Sequence, residues 1–178
     1  VYEIWVKPEY QRRLFDDIMA AGAQYNITLF GSRALNALRL EKNFGSWGRE
    51  FRPIYYAHEC GLDRFIAFDK SADFIGRQAA VAALENQDGK YRLRSFIIDA
   101  KDGDVIGDEP IFFNGEVCGW VTSGGYAHGS SVSVAMGYVP AEHADSEEGW
   151  SVELLSEIVS AKMQKQPLFD SNMSRMRS

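Results

Sequence analysis

The spacing of hydrophobic positions changes character along the chain, from helix-like in the first half to strand-like in the second. Tyr2, Ile4 and Val6 alternate like one face of a strand. Pro8 then sits where a first helical turn tolerates proline, Leu14 and Ile18 recur at helical spacing beside Phe15 and Met19, and Gly22 supplies a stop, which predicts an amphipathic helix over residues 8–21. Gly31-Ser32 is a plausible cap for a second helix, with Ala34, Leu35 and Leu38 along one side, running to about Lys42. Residues 43–53 carry two glycines and read as an irregular loop. Two apolar-rich runs around Gly61, Ile54–Ala57 and Leu62–Phe68, read as strands, and an alanine-rich helix is expected between Gly76 and Glu85.

After the linker Gln87-Asp88-Gly89-Lys90, alternation takes over. Leu93, Ser95 and Ile97 stand against Arg94, Phe96 and Ile98, and Asn114-Gly115 divides two β-prone runs as a two-residue hairpin turn. The run from Val152 to Met163 fits a helix about as well as two short strands turning near Ser156-Glu157, and strands are favoured. Residues 91–165 are therefore expected to be mostly β.

Composition narrows the function more than the fold. The 178 residues are 46% hydrophobic and 25% charged, and 19 basic against 25 acidic residues give a net charge of −6. That excess, without a basic cluster beyond Arg175-Met176-Arg177, disfavours nucleic acid as a partner. No apolar run approaches the roughly 18 to 20 residues of a bilayer span, so no membrane partner is expected and a cytoplasmic location, or the mitochondrial matrix in a eukaryote, is. Cys60 and Cys118 lie 58 positions apart and read as reduced core thiols. His58, His128 and His143 show no metal-ligand spacing, and Thr122-Ser123-Gly124-Gly125 lacks the flanking glycines of a nucleophile elbow. The opening at Val1, directly on an alternating stretch, suggests a piece of a longer protein.

Several stretches share an order that carries a resemblance. They are Tyr2-Glu3-Ile4-Trp5, Ala37-Leu38-Arg39-Leu40-Glu41-Lys42, Trp47-Gly48-Arg49-Glu50, Asp73-Phe74-Ile75-Gly76-Arg77, Gly119-Trp120-Val121-Thr122-Ser123-Gly124-Gly125-Tyr126, Ala135-Met136-Gly137-Tyr138-Val139-Pro140 and Pro167-Leu168-Phe169-Asp170. Together they resemble the aminomethyltransferase (glycine cleavage T-protein) family along nearly the whole chain. The Trp-Gly-Arg-Glu and Pro-Leu-Phe-Asp stretches look closer to the folate domains of sarcosine and dimethylglycine dehydrogenases.

The resemblance implies an α+β fold: an α/β first part, residues 1–89, as the C-terminal part of a folate-binding domain, then a small antiparallel β-barrel domain over 91–178. It implies tetrahydrofolate as cofactor, a folate as small-molecule partner, and FAD only in an upstream flavin domain. Glu3 matches the family's pterin-binding glutamate, and a carboxylate suits the adjacent N–H donors of a pterin edge; without the match, Glu3 reads as a solvent-facing strand residue. Arg39 interrupts an apolar run and matches an arginine at the folate site, while a structural ion pair with Glu41 or Glu50 is the competing reading. The family's catalytic aspartate lies upstream of the matched region, so no catalytic residue is assigned, the fragment alone is expected to be inactive, and a homo-oligomer through the truncated face is expected. The tail departs from the T-protein pattern, with Ser171-Asn172-Met173-Ser174 where tyrosines stand in the family. A reading from another class is a non-catalytic interaction or scaffold module on the same fold.

Overall fold

A computed structural model describes residues 2–177. The chain forms two compact units, Val1–Ser32 and Arg33–Ser178.

In the first unit a 3₁₀ turn, Pro8–Tyr10, leads into helix α1, Gln11–Gly22. A second 3₁₀ turn, Ala23–Tyr25, follows, and Asn26 closes it in the left-handed conformation, its N–H donating to Ala23 O. Gly22 is required where it stands, because a Cβ there would lie 2.7 Å from the Ile27 side chain. Within the unit no residue of α1 is buried, and Ile4, Trp5, Val6, Leu14, Phe15 and Ile18 line an open apolar groove. The expected strand at Tyr2, Ile4 and Val6 is absent: residues 2–7 have no regular structure. Alternation gives a strand its faces but not its ladder, and no other strand is available in this unit to pair with it.

The second unit is built around a closed antiparallel barrel of β1 (Tyr91–Ile98), β2 (Pro110–Phe113), β3 (Glu116–Ala127), β4 (Val132–Pro140), β5 (Trp150–Leu154) and β6 (Glu157–Gln164), in the order β1-β4-β3-β2-β5-β6 with β6 returning to β1. Closure removes the sheet edges that would otherwise template aggregation. Both tight hairpins follow from local chemistry. Asn114 and Gly115 have φ of 51° and 87°, and Leu155 and Ser156 have φ of 52° and 69°, the paired positive values of a turn whose twist matches the strands. The favoured two-strand reading of Val152–Met163 therefore holds, with the turn one residue earlier than expected. Phe96, Ile98, Val105, Ile111, Val121, Val139, Trp150 and Val152 fill the barrel core.

Helix α2 (Ser32–Glu41) and helix α3 (Arg77–Glu85) form where the sequence predicts them, and short helix α4 (Ser174–Arg177) ends the described chain. Between α2 and α3 the expected strands at 54–57 and 62–68 are replaced by turns. Tyr55 N–H donates to Arg52 O, Glu59 N–H to Tyr56 O and Leu62 N–H to Ala57 O, and a 3₁₀ turn spans Asp63–Phe65. Of the β-prone side chains here, Tyr55 stacks on Tyr138 of β4 with ring centroids 4.0 Å apart, while Ile54, Tyr56 and Phe65 are exposed. The described residues of the first part thus form helices and turns, and all strands of the described chain lie in the barrel.

This contrast sets the expected effects of truncating apolar side chains. Ile111→Ala, in the barrel core with no exposure, should cost about 2 to 5 kcal/mol. Phe15→Ala, 48% exposed on α1, should change stability by under about 0.5 kcal/mol. Urea unfolding of the two variants checks both.

Candidate functional site

The most densely bonded polar site lies where α2 and the loop after it meet the wall of the barrel. The geometry starts with the helix end. Asn43 takes the left-handed conformation at φ 55°, Phe44 N–H donates to Arg39 O at 2.8 Å and Asn43 N–H to Leu40 O at 3.0 Å, the bond pair of a Schellman cap. The chain turns sharply there, bringing Phe44 O within 3.1 Å of Arg39 Nη1. Arg39 also donates from Nε to Asn36 Oδ1 at 2.9 Å, from Nη1 to Glu50 Oε2 at 3.3 Å and from Nη2 to Ser123 Oγ at 2.8 Å. Four of its five N–H groups are thus engaged within the unit. The structural ion pair anticipated for Arg39 exists, and its partner is Glu50, not Glu41.

Glu50 has no exposed surface. Its Oε2 accepts from Ser46 N–H at 2.6 Å and Ser46 Oγ at 3.1 Å, and its Oε1 faces Thr122 Oγ1 at 2.7 Å. Its backbone carbonyl accepts from the Tyr138 hydroxyl at 2.7 Å. Burial pushes the Glu50 carboxyl up, but hydrogen bonds from Ser123, Ser46 and Thr122 and the Arg39 charge outweigh it and hold the pKa below the usual range. Thr122 reaches Glu50 because β3 bulges there: Val121 pairs with Gly137 and Ser123 with Met136, leaving Thr122 as the extra residue. Gly124 completes the arrangement, since a Cβ would lie 2.3 Å from Val105 O. Ser123 Oγ is an acceptor for Arg39 Nη2.

Two further buried carboxylates tie the same segments to the barrel. Glu41 accepts from Gly129 N–H at 2.7 Å, in the β3–β4 turn, and Glu59 accepts from Tyr91 N–H at 3.1 Å, at the start of β1. Beside Glu41, Lys42 holds the tail, bonding to the Asp170 carbonyl and, at 2.9 Å, to Asp170 Oδ2. Asp170 Oδ1 in turn caps α4 through Ser174 N–H at 2.8 Å.

Glu3 lies in the first unit, exposed in the segment without regular structure, with no hydrogen bond or ion pair to any described residue. Exposed rings flank it in sequence, Tyr2 at 97% and Trp5 at 88%. Trp47, at 74% exposure, stands on the turn that Glu50 fixes through Ser46. Glu50 was anticipated only as one of two candidate ion-pair partners of Arg39, and the roles of Glu59 and Thr122 were not legible in the sequence: each is a polar residue in a loop or β-run, and only the fold buries it. Both cysteines are free thiols, Cys60 buried and Cys118 half-buried, and among the described residues no His/Cys/Asp/Glu group has a metal-holding arrangement. No helix among the described residues is long and apolar enough to cross a membrane.

Glu50→Gln would leave Arg39 without its buried counter-charge, so we expect a loss of about 3 to 5 kcal/mol in urea unfolding. The tail gives a pH prediction. Hydrogen bonds from Lys42 and Ser174 lower the Asp170 pKa to about 2, beneath the roughly 3.9 of an unfolded aspartate. Its stabilising effect should therefore be complete above about pH 4, decline as the pH falls and be gone below about pH 2. Proteolysis of the tail by an acid-active protease across that range should accelerate in parallel.

The chain matches two family models, "GCVT N-terminal domain" over residues 1–70 and "Glycine cleavage T-protein C-terminal barrel domain" over residues 92–170. It is 36% identical over 176 residues to mitochondrial dimethylglycine dehydrogenase of Mus musculus, covering 99% of this chain and 20% of the relative. It is 34% identical over 152 residues to the mitochondrial pyruvate dehydrogenase phosphatase regulatory subunit of the same organism, covering 83% of this chain and 17% of that one. The chain thus spans about a fifth of the length of these relatives. The crystal structure of glycine cleavage system aminomethyltransferase T from Bartonella henselae shares the fold, with a TM-score of 0.79 and 21% identity over 92% of this chain and 45% of that chain. With both family models matched in order, and a barrel where the second model requires one, the chain belongs to the glycine cleavage T-protein (aminomethyltransferase) family.

Proposed function

We propose that the chain is the rear part of a tetrahydrofolate-dependent one-carbon transferase, within a longer dimethylglycine or sarcosine dehydrogenase-like polypeptide. The observation that carries this reading is the alignment of 176 residues, at 36% identity, with dimethylglycine dehydrogenase. In this reading residues 1–89 contribute to a folate-binding domain, residues 91–178 form the barrel domain, and any FAD belongs to an upstream domain. The mitochondrial relatives favour a matrix location for the parent protein if it is eukaryotic.

The residues present suit a reduced folate. Glu3 is an exposed carboxylate without a partner among the described residues, beside two exposed aromatic rings. Such a group can accept the paired N–H donors of a pterin edge in charge-assisted hydrogen bonds while a ring stacks on the flat heterocycle. Tetrahydrofolate, when bound, supplies the nitrogens that take up the one-carbon unit. Arg39 acts as a positioning residue: its fork holds Glu50, Ser123 and the loop after α2 in one geometry, leaving one N–H for a ligand. Neither Glu3 nor Arg39 is a base for the reaction. The 178 residues alone are therefore expected to show no turnover, because orienting donor and acceptor can supply on the order of 7 to 11 kcal/mol and needs a complete pocket. Self-association through the apolar groove of the first unit is expected when the chain is studied by itself.

One observation favours a second reading. A relative of 34% identity is named a regulatory subunit, so a non-catalytic module on this fold is the alternative. Calorimetry on the full-length protein separates the two. Reduced folate should bind, and Glu3→Ala should weaken it by about 1.5 to 3 kcal/mol, the worth of a hydrogen bond to a charged group. Thermal stability should not change, since Glu3 is exposed and makes no hydrogen bond or ion pair to any described residue. Unchanged affinity would remove Glu3 from the site, and absent binding would favour the module.

A further inference from the structure

Strand β1 outruns one of its neighbours. Its pairing with β6 begins only at Ser95, opposite Gln164, so residues 91–94 have no strand on that side. The turn segment fills part of the gap: Tyr91 N–H donates to Glu59 Oε1 at 3.1 Å and Leu93 N–H to Glu59 O at 2.8 Å. The carbonyls of the same two residues point to the same side, and each is met by a guanidinium. Arg92 Nη1 donates to Tyr91 O at 2.8 Å and Arg94 Nη1 to Leu93 O at 3.0 Å. Those carbonyls are two residues apart on one strand, about 7 Å, so the two arginine forks stand side by side. Both line a cavity of about 1120 Å³. Arg92 and Arg94 share the inward face of β1 with Phe96 and Ile98 of the barrel core, and Cys118 and Ala144, which also line the cavity, pack on that core. The cavity is thus the mouth of the barrel.

The two forks differ in what occupies them. Arg94 uses three of its five N–H groups, on Leu93 O, on Ala144 O at 2.8 Å and on Asp145 Oδ1 at 3.3 Å, and Asp145 balances its charge. Arg92, half-buried, makes only the bond to Tyr91 O and no ion pair with any described residue. Capping one carbonyl takes one N–H, so four N–H groups and a permanent charge are left over. Partial burial of a charge without a counter-charge is unfavourable, and an anion in the cavity would relieve it. Three features choose among anions. Lys90, Arg92 and Arg94 line the cavity together with Asp63, Glu142 and Asp145, so the site suits one negative charge better than the nearly two of a phosphate. A planar fork matches a planar carboxylate. The gap of about 7 Å is the span of one carboxylate with an N–H···O bond of about 2.8 Å on each flank.

We propose that the mouth of the barrel binds a small-molecule carboxylate, held between the side-by-side forks of Arg92 and Arg94. Arg92 supplies the counter-charge, and the N–H groups that Arg94 has left add the second flank. Leu84, Pro140, Ala141 and Ala144 give the cavity an apolar wall for the body of the ligand. The proposal uses residues of the second unit only and does not depend on the folate reading.

The free thiol of Cys118, in the same wall, reports occupancy. The probe is benzoate, with benzamide as the control of the same shape without the charge, both at fixed ionic strength. On the full chain, benzoate should saturably slow labelling of Cys118 by iodoacetamide, read by peptide mass spectrometry. Benzamide should need at least about tenfold more to do so, the loss of one charge-assisted hydrogen bond. Arg92→Gln should abolish the protection. Arg92→Lys keeps the stem and the charge but not the fork, so it should weaken protection about tenfold, and it decides the matter if the glutamine variant does not fold. Equal protection by benzoate and benzamide, or none by either, would overturn the proposal, as would unchanged protection in either folded variant. Stronger protection by inorganic phosphate would overturn the choice of a carboxylate, and a Cys118 that does not label in the ligand-free chain would show the mouth closed and overturn the site.

Discussion

A single buried carboxylate holds the second unit in register. Glu50 sits without solvent exposure at the meeting point of α2, the loop that follows it, and strands β3 and β4. Isolated in such a place a carboxylate would be strongly destabilising, because burial removes the water that stabilises its charge. Here the compensation comes from all sides: the Arg39 guanidinium, the Ser46 amide and hydroxyl, and the Thr122 hydroxyl. Because those donors come from elements far apart in sequence, the ionised carboxylate is tolerated only when all of them are in place. The interaction thus acts as a geometric specification as much as a source of stability.

The same device recurs on either side. Glu41 and Glu59 are also buried, and each accepts backbone N–H groups from a neighbouring strand or turn. Within residues 43–76, which contain no strand and only one 3₁₀ turn, Glu50 and Glu59 add to the local backbone bonds by accepting the N–H groups of Ser46 and Tyr56. Irregular backbone leaves donors unpaired, and side-chain acceptors take over the role that a ladder would play. Leu40 supplies the apolar part, packing with Ala127, Val134 and Met136 on the outside of the barrel.

Two glutamates, Glu50 and Glu3, stand in opposite states. Glu50 is spent on structure, accepting from Arg39, Ser46 and Thr122. Glu3 has no partner among the described residues and lies beside exposed aromatic rings. A carboxylate that is to receive a ligand must remain free, and one that organises a fold must not. The position of Arg39 follows from this division: its charge neutralises the structural glutamate, so any influence it has on a ligand passes largely through the geometry it maintains.

Sequence by itself determined what local chemistry controls. Helices α1, α2 and α3 were legible from apolar spacing and their glycine or serine boundaries, the Asn114-Gly115 hairpin from its turn residues, and the β character after Lys90 from period-two alternation. The ordered short motifs were enough to indicate the family. Strand pairing and polar burial were decided by the tertiary structure, and both failures of local reasoning have that cause. Tyr2, Ile4 and Val6 alternate but meet no partner strand among the described residues of their unit, and the runs near Gly61 close into turns, with Tyr55 stacked on Tyr138 of the barrel. Glu50 and Thr122 carry no periodic signal, because their roles depend in part on partners far away in sequence that only the fold brings to them.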